Sequence, residues 1–188
     1  FFQKEVEPHR DRWYEQGQVD REIYRKGGGQ GLLLMQVGEE YGGAGIRDFR
    51  YEQILLEENL RYGDSGLYFT LHSRLVAPYI EGLGTEEQKQ RFLSGCVSGE
   101  TILGIAMTEP GAGSDLAGLK TRAEDQGDHY LVNGTKNWIT NGGKSAIHLV
   151  MAQSHRELKH KGINTLIMTQ SGGNEGVGRV VAHGPGVS

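Results

Sequence analysis

The sequence predicts an α+β protein in which helices come first and strands follow. Through roughly the first 103 residues, apolar side chains recur every three to four positions, the period of a one-sided helix. Near Thr101 the period gives way to short apolar runs punctuated by tight turns. Glycine is abundant, 30 of 188 residues, and only 36% of the chain is hydrophobic, which predicts many loops. Helices in one block and strands in another give two segregated domains, 1–103 helical and 104–188 stranded, instead of an alternating parallel sheet.

The first helix carries Phe2, Val6, His9 and Trp13 on one face, with Pro8 removing a backbone donor from its middle. A second, over residues 19–26, has Asp20 as its cap and ends at Gly27-Gly28-Gly29, because each glycine costs about 1 kcal/mol in a helix interior. Leu32-Leu33-Leu34-Met35 is a short apolar segment, and Glu39-Glu40-Tyr41-Gly42-Gly43-Ala44-Gly45 a turn-rich loop. Asp48 caps a helix with Tyr51, Ile54, Leu55, Glu58 and Tyr62 at helical spacing. Residues 65–83 form a mostly apolar, central helix bent near Pro78. Thr85-Glu86-Glu87-Gln88 is a capping box, and the helix it opens runs toward Cys96, with Gly95 or Gly99 to end it.

In the second block, Asn133-Gly134 is the two-residue turn of a hairpin joining Tyr130-Leu131-Val132 to the segment around Trp138. Asn141-Gly142-Gly143 is a further turn. Residues 146–152 and 162–169 are apolar strands, with a charged loop from 155 to 161 between them. Residues 171–188 have no period and are assigned no structure.

Bulk properties exclude several functions. The net charge of −4 is dispersed, so the basic footprint of a nucleic-acid binder is missing. No apolar run approaches the roughly 18 residues that span a membrane. One cysteine, Cys96, excludes an internal disulfide framework and suits a reducing compartment; with no His or Lys near it in sequence, it reads as a small helix residue. The chain opens on what reads as the middle of a helix, without a signal or transit peptide, and Gly184-Pro185-Gly186-Val187-Ser188 closes no element, so it is expected to be part of a longer protein.

Chemistry is concentrated in two runs. The first is Ala106-Met107-Thr108-Glu109-Pro110-Gly111-Ala112-Gly113-Ser114-Asp115-Leu116-Ala117-Gly118. Its small residues let backbone approach a ligand closely, and successive amides can form a nest for an anion such as a pyrophosphate. It has neither the strand–glycine–helix spacing of a dinucleotide fingerprint nor the Lys of a P-loop. The second, Asn133-Gly134-Thr135-Lys136-Asn137-Trp138-Ile139-Thr140-Asn141-Gly142, is expected to be a strand with Trp138 and Thr140 on one face. There an indole covers a flat ring and a hydroxyl reaches a ring heteroatom; a buried Trp beside a strand-forming Thr is the plainer alternative.

Read together, the runs resemble the flavin site of the acyl-CoA dehydrogenase family. Residues 39–45, the Gly84-Thr85-Glu86-Glu87-Gln88-Lys89 helix start, residues 107–120 and residues 133–142 stand in that family's order and separations, over residues 1 to about 169. The resemblance implies a helical amino-terminal domain, then an antiparallel β-barrel-like middle domain cut short at 188, with the carboxy-terminal helical domain absent. It implies FAD as cofactor, an acyl-CoA substrate, electron-transfer flavoprotein as acceptor, and a homotetramer or homodimer in bacterial cytoplasm or mitochondrial matrix. By matching position, Ile105, Met107 and Thr108 line the isoalloxazine, Thr108 bonds its pyrimidine edge, Trp138 packs on the ring with Ile139 beside it, and Thr140 bonds near N5 and O4. Gly113 and Ser114 lie at the pyrophosphate, and Ser114 also at the acyl-CoA. The family's catalytic base is a Glu of the carboxy-terminal domain, expected beyond Ser188, so this chain is expected to hold no catalytic residue, and no metal. An acyl-CoA oxidase-like flavoenzyme and a non-catalytic scaffold of the same fold remain as alternatives.

Overall fold

Helical spacing in the first block is realised as α1 (Arg10–Gln16), α2 (Glu22–Gly29), α3 (Phe49–Tyr62), α4 (Ala77–Leu83) and α5 (Glu86–Ser98). The computed structural model describes residues 1–63, 66–170 and 178–183. The chain divides into two units, one spanning Phe1–Ile102 and one beginning at Leu103.

In the first unit, a π-helical turn (Phe2–Val6) and a 3-10 turn (Glu7–His9) lead into α1; Pro8 sits in the first turn of the 3-10 segment, where its missing N–H costs little. Phe2, Val6 and Trp13 are buried, while His9 stays half-buried. Around them the core gathers Ile23, Tyr24, Leu33, Leu34, Phe69, Val76 and Leu93, with the Tyr24 and Phe69 rings 5.1 Å apart. Asp48 caps α3 by accepting from the Arg50 amide at 3.0 Å. The Thr85–Gln88 capping box opens α5, which runs through Gly95 and stops at Gly99. Tyr41 donates to Glu86 at 2.7 Å and ties the turn-rich loop to the start of α5.

Two expectations fail here. Asp20 caps nothing; it is held by Arg12 at the end of a loop, and α2 starts two residues later. The triple glycine does not end α2 but forms its last turn. A Cβ on Gly27 would stand 2.7 Å from the Phe69 ring, and one on Gly28 would overlap the Ser98 backbone. The close approach of other chain segments makes glycine necessary there and offsets its poor helix propensity. On α3 only Glu52 and Leu55 are buried, while Tyr51 and Ile54 stand half exposed, so its apolar periodicity does not mark a core face.

The bend expected near Pro78 takes a specific form. The helix begins at Phe69, and Ser65 lies outside the described residues. Leu71–Val76 is wound as a π-helix, and the Ala77 amide bonds back to the His72 carbonyl. The widened turn makes room for the Pro78 ring, which would otherwise strike a carbonyl one turn earlier. The inner face carries His72, Ser73, Val76, Ala77 and Ile80; Leu75 and Leu83 are half exposed, so the helix is buried on one side only.

The second unit is a single open sheet of β1 (Leu103–Ala106), β2 (Arg122–Asp125), β3 (Tyr130–Asn133), β4 (Ile147–Gln153), β5 (Ile163–Gln170) and β6 (Gly178–His183). The spatial order is β3-β2-β4-β5-β6, with β1 also paired to β4. The sheet is mixed. β4 meets β5 antiparallel from Ile147↔Thr169 to Gln153↔Ile163, but meets β1 in parallel from Leu103↔Ile147 to Ala106↔Val150, and β2 in parallel at Arg122↔Gln153. Ala123, Ala152 and Leu166 form a small core that Tyr130 and Val132 cover.

The hairpin is not where Asn133-Gly134 placed it. It joins β2 to β3, closing with the Gln126 amide on the His129 carbonyl at 2.8 Å and Gly127 at φ +91°. Gly134 keeps ordinary backbone and is needed for another reason: any side chain there would overlap Thr121. Beyond it there is no strand through Trp138. Trp138 has φ +59°, and consecutive turns close from Ile139 to Gly142 and from Asn141 to Ser145. Trp138 and Thr140 therefore do not share a strand face. Finally, part of the tail given no structure is β6, held by backbone pairing to β5, which needs no side-chain period; residues 171–177 and 184–188 lie outside the described residues.

The glycine contacts predict opposite outcomes one residue apart. Gly28→Ala should destabilise the first unit by about 1–3 kcal/mol through overpacking. Gly29→Ala, with nothing within 4 Å of its added carbon, should stabilise it by roughly 0.5–1 kcal/mol. Urea midpoints of the two variants check this.

Candidate functional site

β1 delivers Ile105, 7% exposed, and then Met107 and Thr108, both half-buried, to the rim of the sheet. The chain turns at once: the Glu109 amide bonds to the Ala112 carbonyl at 2.9 Å and the Ala112 amide back to the Glu109 carbonyl at 3.2 Å. Pro110, at the second position of that four-residue turn, suits it through its fixed φ. Gly113 and Ser114 follow in solvent, and no atom lies within 4 Å of where a Cβ on Gly111 or Gly113 would stand. A 3-10 turn, Leu116–Gly118, returns the chain toward β2.

Glu109 organises this loop. Its carboxylate is buried and accepts from the Lys120 amide at 2.6 Å, the Thr121 amide at 2.9 Å and Lys136 Nζ at 2.8 Å. Burial pushes its carboxyl up, but the hydrogen bonds from Lys136 and the two amides outweigh this and bring it down to about 2. The first three bonds of the second run complete the join. Lys136 Nζ also donates to the Met107 carbonyl at 2.9 Å, and the Asn137 amide donates to the Thr108 carbonyl at 2.9 Å. Two runs more than twenty residues apart in sequence thus lie side by side, and Trp138 follows directly from the bonded pair.

Trp138 is 91% exposed and in the left-handed region, an unfavourable state for a bulky side chain. Ile139 and Thr140 are half-buried in the turn that follows. The Thr108 and Thr140 hydroxyls have no hydrogen-bond partner among the described residues. An exposed flat indole, spare hydroxyls on either run and an open small-residue loop are the donor set for a flat heterocycle with an anionic tail, and the residues present fit a flavin dinucleotide.

Of the expected site residues, Met107 and Thr108 are brought against the second run; Gly113 and Ser114 lie further along the loop, and Ile105 lies within β1. Sequence reasoning missed Lys136, Asn137 and the structural part played by Glu109. The available signal was charge: the charged residues of the first run are both acids, Glu109 and Asp115, and that of the second is a single base, Lys136.

Other titratable groups are structural. Cys96 is buried in α5, and burial pushes its thiol up. His72 bonds the Cys96 carbonyl at 3.0 Å, and burial lowers it to about 4, so it is neutral near pH 7. Among the described residues no group of three or more His, Cys, Asp or Glu is placed to hold a metal, and no helix is long and apolar enough to cross a membrane.

Comparison with known proteins agrees over most of the chain. The family description "Acyl-CoA dehydrogenase, N-terminal domain" matches residues 1–100, and "Acyl-CoA dehydrogenase, middle domain" matches residues 104–185. The mouse mitochondrial long-chain specific acyl-CoA dehydrogenase is 43% identical over 159 residues, 85% of this chain and 37% of that protein. The acyl-CoA dehydrogenase of Geobacillus kaustophilus superposes with a TM-score of 0.87 at 43% identity, over 91% of this chain and 45% of that one. Butyryl-CoA dehydrogenase of Megasphaera elsdenii gives 0.83 at 31% identity, over 90% and 45%. The chain thus spans less than half the length of these relatives.

The Glu109 geometry sets an acid limit on the second unit. A carboxyl depressed from 4.5 to about 2 contributes stability that is complete above about pH 4.5 and is lost as pH falls toward 2, on the order of 3 kcal/mol in all. Glu109→Gln should lower the neutral plateau by about 3–5 kcal/mol, because Lys136 is left buried without its counter-charge, and should flatten the acid slope. Denaturation across pH 2–7 reads both.

Proposed function

The chain belongs to the acyl-CoA dehydrogenase family, and we propose that it supplies the helical and middle parts of an FAD-dependent enzyme that oxidises a fatty acyl-CoA to the enoyl-CoA. The observation that carries this reading is Trp138: a large aromatic held in unfavourable backbone, 91% exposed, and fixed beside Met107 and Thr108 by the Lys136 and Asn137 bonds. Such a side chain is placed for a ligand and not for the core.

In this reading Met107 and Thr108 form one wall of the ring site, with Ile105 behind them. The Thr108 hydroxyl bonds the pyrimidine edge. Trp138 packs on the ring, Ile139 lies beside it, and Thr140 holds a hydrogen bond near N5. Gly113 and Ser114 receive the pyrophosphate, and Ser114 the acyl-CoA. The cofactor supplies acceptance of a hydride from the substrate Cβ; the protein orients it and tunes it.

Removing the Cα proton needs a carboxylate that is free to accept it. Glu109 is unfit for that task. Its oxygens are occupied by three donors, and its carboxyl is held at about 2. In this reading the base is a Glu of the whole protein's carboxy-terminal domain, and the chain alone turns over no substrate. Electron-transfer flavoprotein is the acceptor, the assembly is a homo-oligomer, and the compartment is bacterial cytoplasm or mitochondrial matrix.

Anaerobic titration of the whole protein with a fatty acyl-CoA should bleach the bound flavin band; bound flavin that stays unbleached overturns the reading. Trp138→Ala in the same protein should weaken FAD retention by roughly 10-fold or more, the value of a ring contact of ~1.5 kcal/mol. Thr140→Val should shift the flavin potential. Steady turnover by the 188-residue chain would contradict the placement of the base.

A further inference from the structure

The Glu109–Lys136 join anchors the second run just before Trp138. The residues after Trp138 are held separately, by a turn closed on itself. The Gly142 amide bonds the Ile139 carbonyl at 2.8 Å, and the Lys144 and Ser145 amides both bond the Asn141 carbonyl at 2.8 Å. Asn141 stands at φ +62°. Asparagine enters that region more readily than most residues, and its side chain then commonly serves the backbone close by.

Here the Asn141 amide also reaches out of its turn. Its Nδ2 donates to the Leu103 carbonyl at 3.4 Å, across 38 residues of sequence. Leu103 is the fully buried first residue of β1. The same strand leads into Met107 and Thr108, whose carbonyls accept from Lys136 Nζ and the Asn137 amide. Trp138, Ile139 and Thr140 are therefore held from both ends, by Asn137 before them and Asn141 after them. Ser145 seals the second anchor. It is wholly buried, and a Cβ on Gly104 would stand 2.7 Å from its Oγ and 3.1 Å from the ring of His148, the residue facing Gly104 across the β1–β4 pairing. Only glycine at 104 permits that approach, so the turn lies directly on β1.

We propose that Asn141 is a positioning residue whose side-chain amide fixes this turn to β1 and so sets where the Thr140 hydroxyl stands relative to Met107 and Thr108, an inference that rests on the flavin reading above. Thr140 and Asn141 share one peptide unit, so a displaced Asn141 backbone carries Thr140 with it. A hydroxyl already in place when the ring arrives loses little freedom on bonding it, whereas a misplacement of about 1 Å is costly. Leu103, inside the sheet, supplies the fixed reference that a turn bonded only to itself lacks.

The test uses the whole protein with FAD bound and the variants Asn141→Gly, Thr140→Val and the two combined. Glycine keeps the left-handed backbone and removes the amide. Asn141→Gly should move the potential of the bound flavin in the direction that Thr140→Val moves it. It should also lower kcat for a fatty acyl-CoA by about 5-fold, with KM changed less than about 2-fold, the worth of one ordinary hydrogen bond. The combined variant should keep the potential of Thr140→Val alone, because the amide acts through that hydroxyl. An unshifted potential in Asn141→Gly overturns the inference. Shifts that add in the combined variant overturn it as well, since Asn141 then reaches the ring by another route. Loss of FAD from Asn141→Gly where Thr140→Val retains it does the same. Should Asn141→Gly not fold, Asn141→Ser, neutral and shorter in the side chain, takes its place in every comparison. If Thr140→Val itself leaves the potential unchanged, the placing of Thr140 near N5 fails, and the positioning role falls with it.

Discussion

The second unit depends on one buried ion pair. Glu109 and Lys136 come from the two chemically distinctive runs and meet at 2.8 Å with side chains almost wholly buried. A pair of charges is costly to bury unless every remaining lone pair and proton finds a partner. Here the carboxylate also takes two backbone amides and the ammonium a backbone carbonyl. These four bonds tie the two runs together and fix their alignment. The candidate ring site is a by-product of that alignment, because Trp138 has no anchor of its own.

Much of the first unit was legible because its signals are local. The capping box at Thr85, the Asp48 cap and the disturbance at Pro78 each depend on residues within one turn. The glycine triplet was misread because its reason is not local: what makes it helical is the Phe69 ring and the Ser98 backbone, far along the chain. α3 shows the converse. Its apolar spacing is real, yet Tyr51 and Ile54 are not in the core; periodicity reports a face, not what covers it.

The second unit was harder to read for a related reason. Asn133-Gly134 is a strong turn signal in isolation, but glycine has two uses, and here close packing against Thr121 takes precedence over a hairpin. The true turn at Gly127 lay in a charged, unremarkable stretch. The candidate site residues stand out by type, Trp138, Thr140 and the small-residue loop among them. Their geometry does not, because a left-handed Trp cannot be inferred from alternation.

The parallel pairing of β1 with β4 has a consequence for how the second unit assembles. β4 and β5 are joined by a short loop, whereas β1 reaches β4 only across about forty residues. The entropy of closing a loop grows with its length, so the antiparallel pair forms at the lower cost and β1 docks onto it afterwards. Apart from Ile105 in β1 itself, every candidate site residue, from Met107 to Thr140, lies inside the longer loop. The candidate ring site is therefore completed late in folding, and a chain stalled before that step would carry a formed sheet core without it.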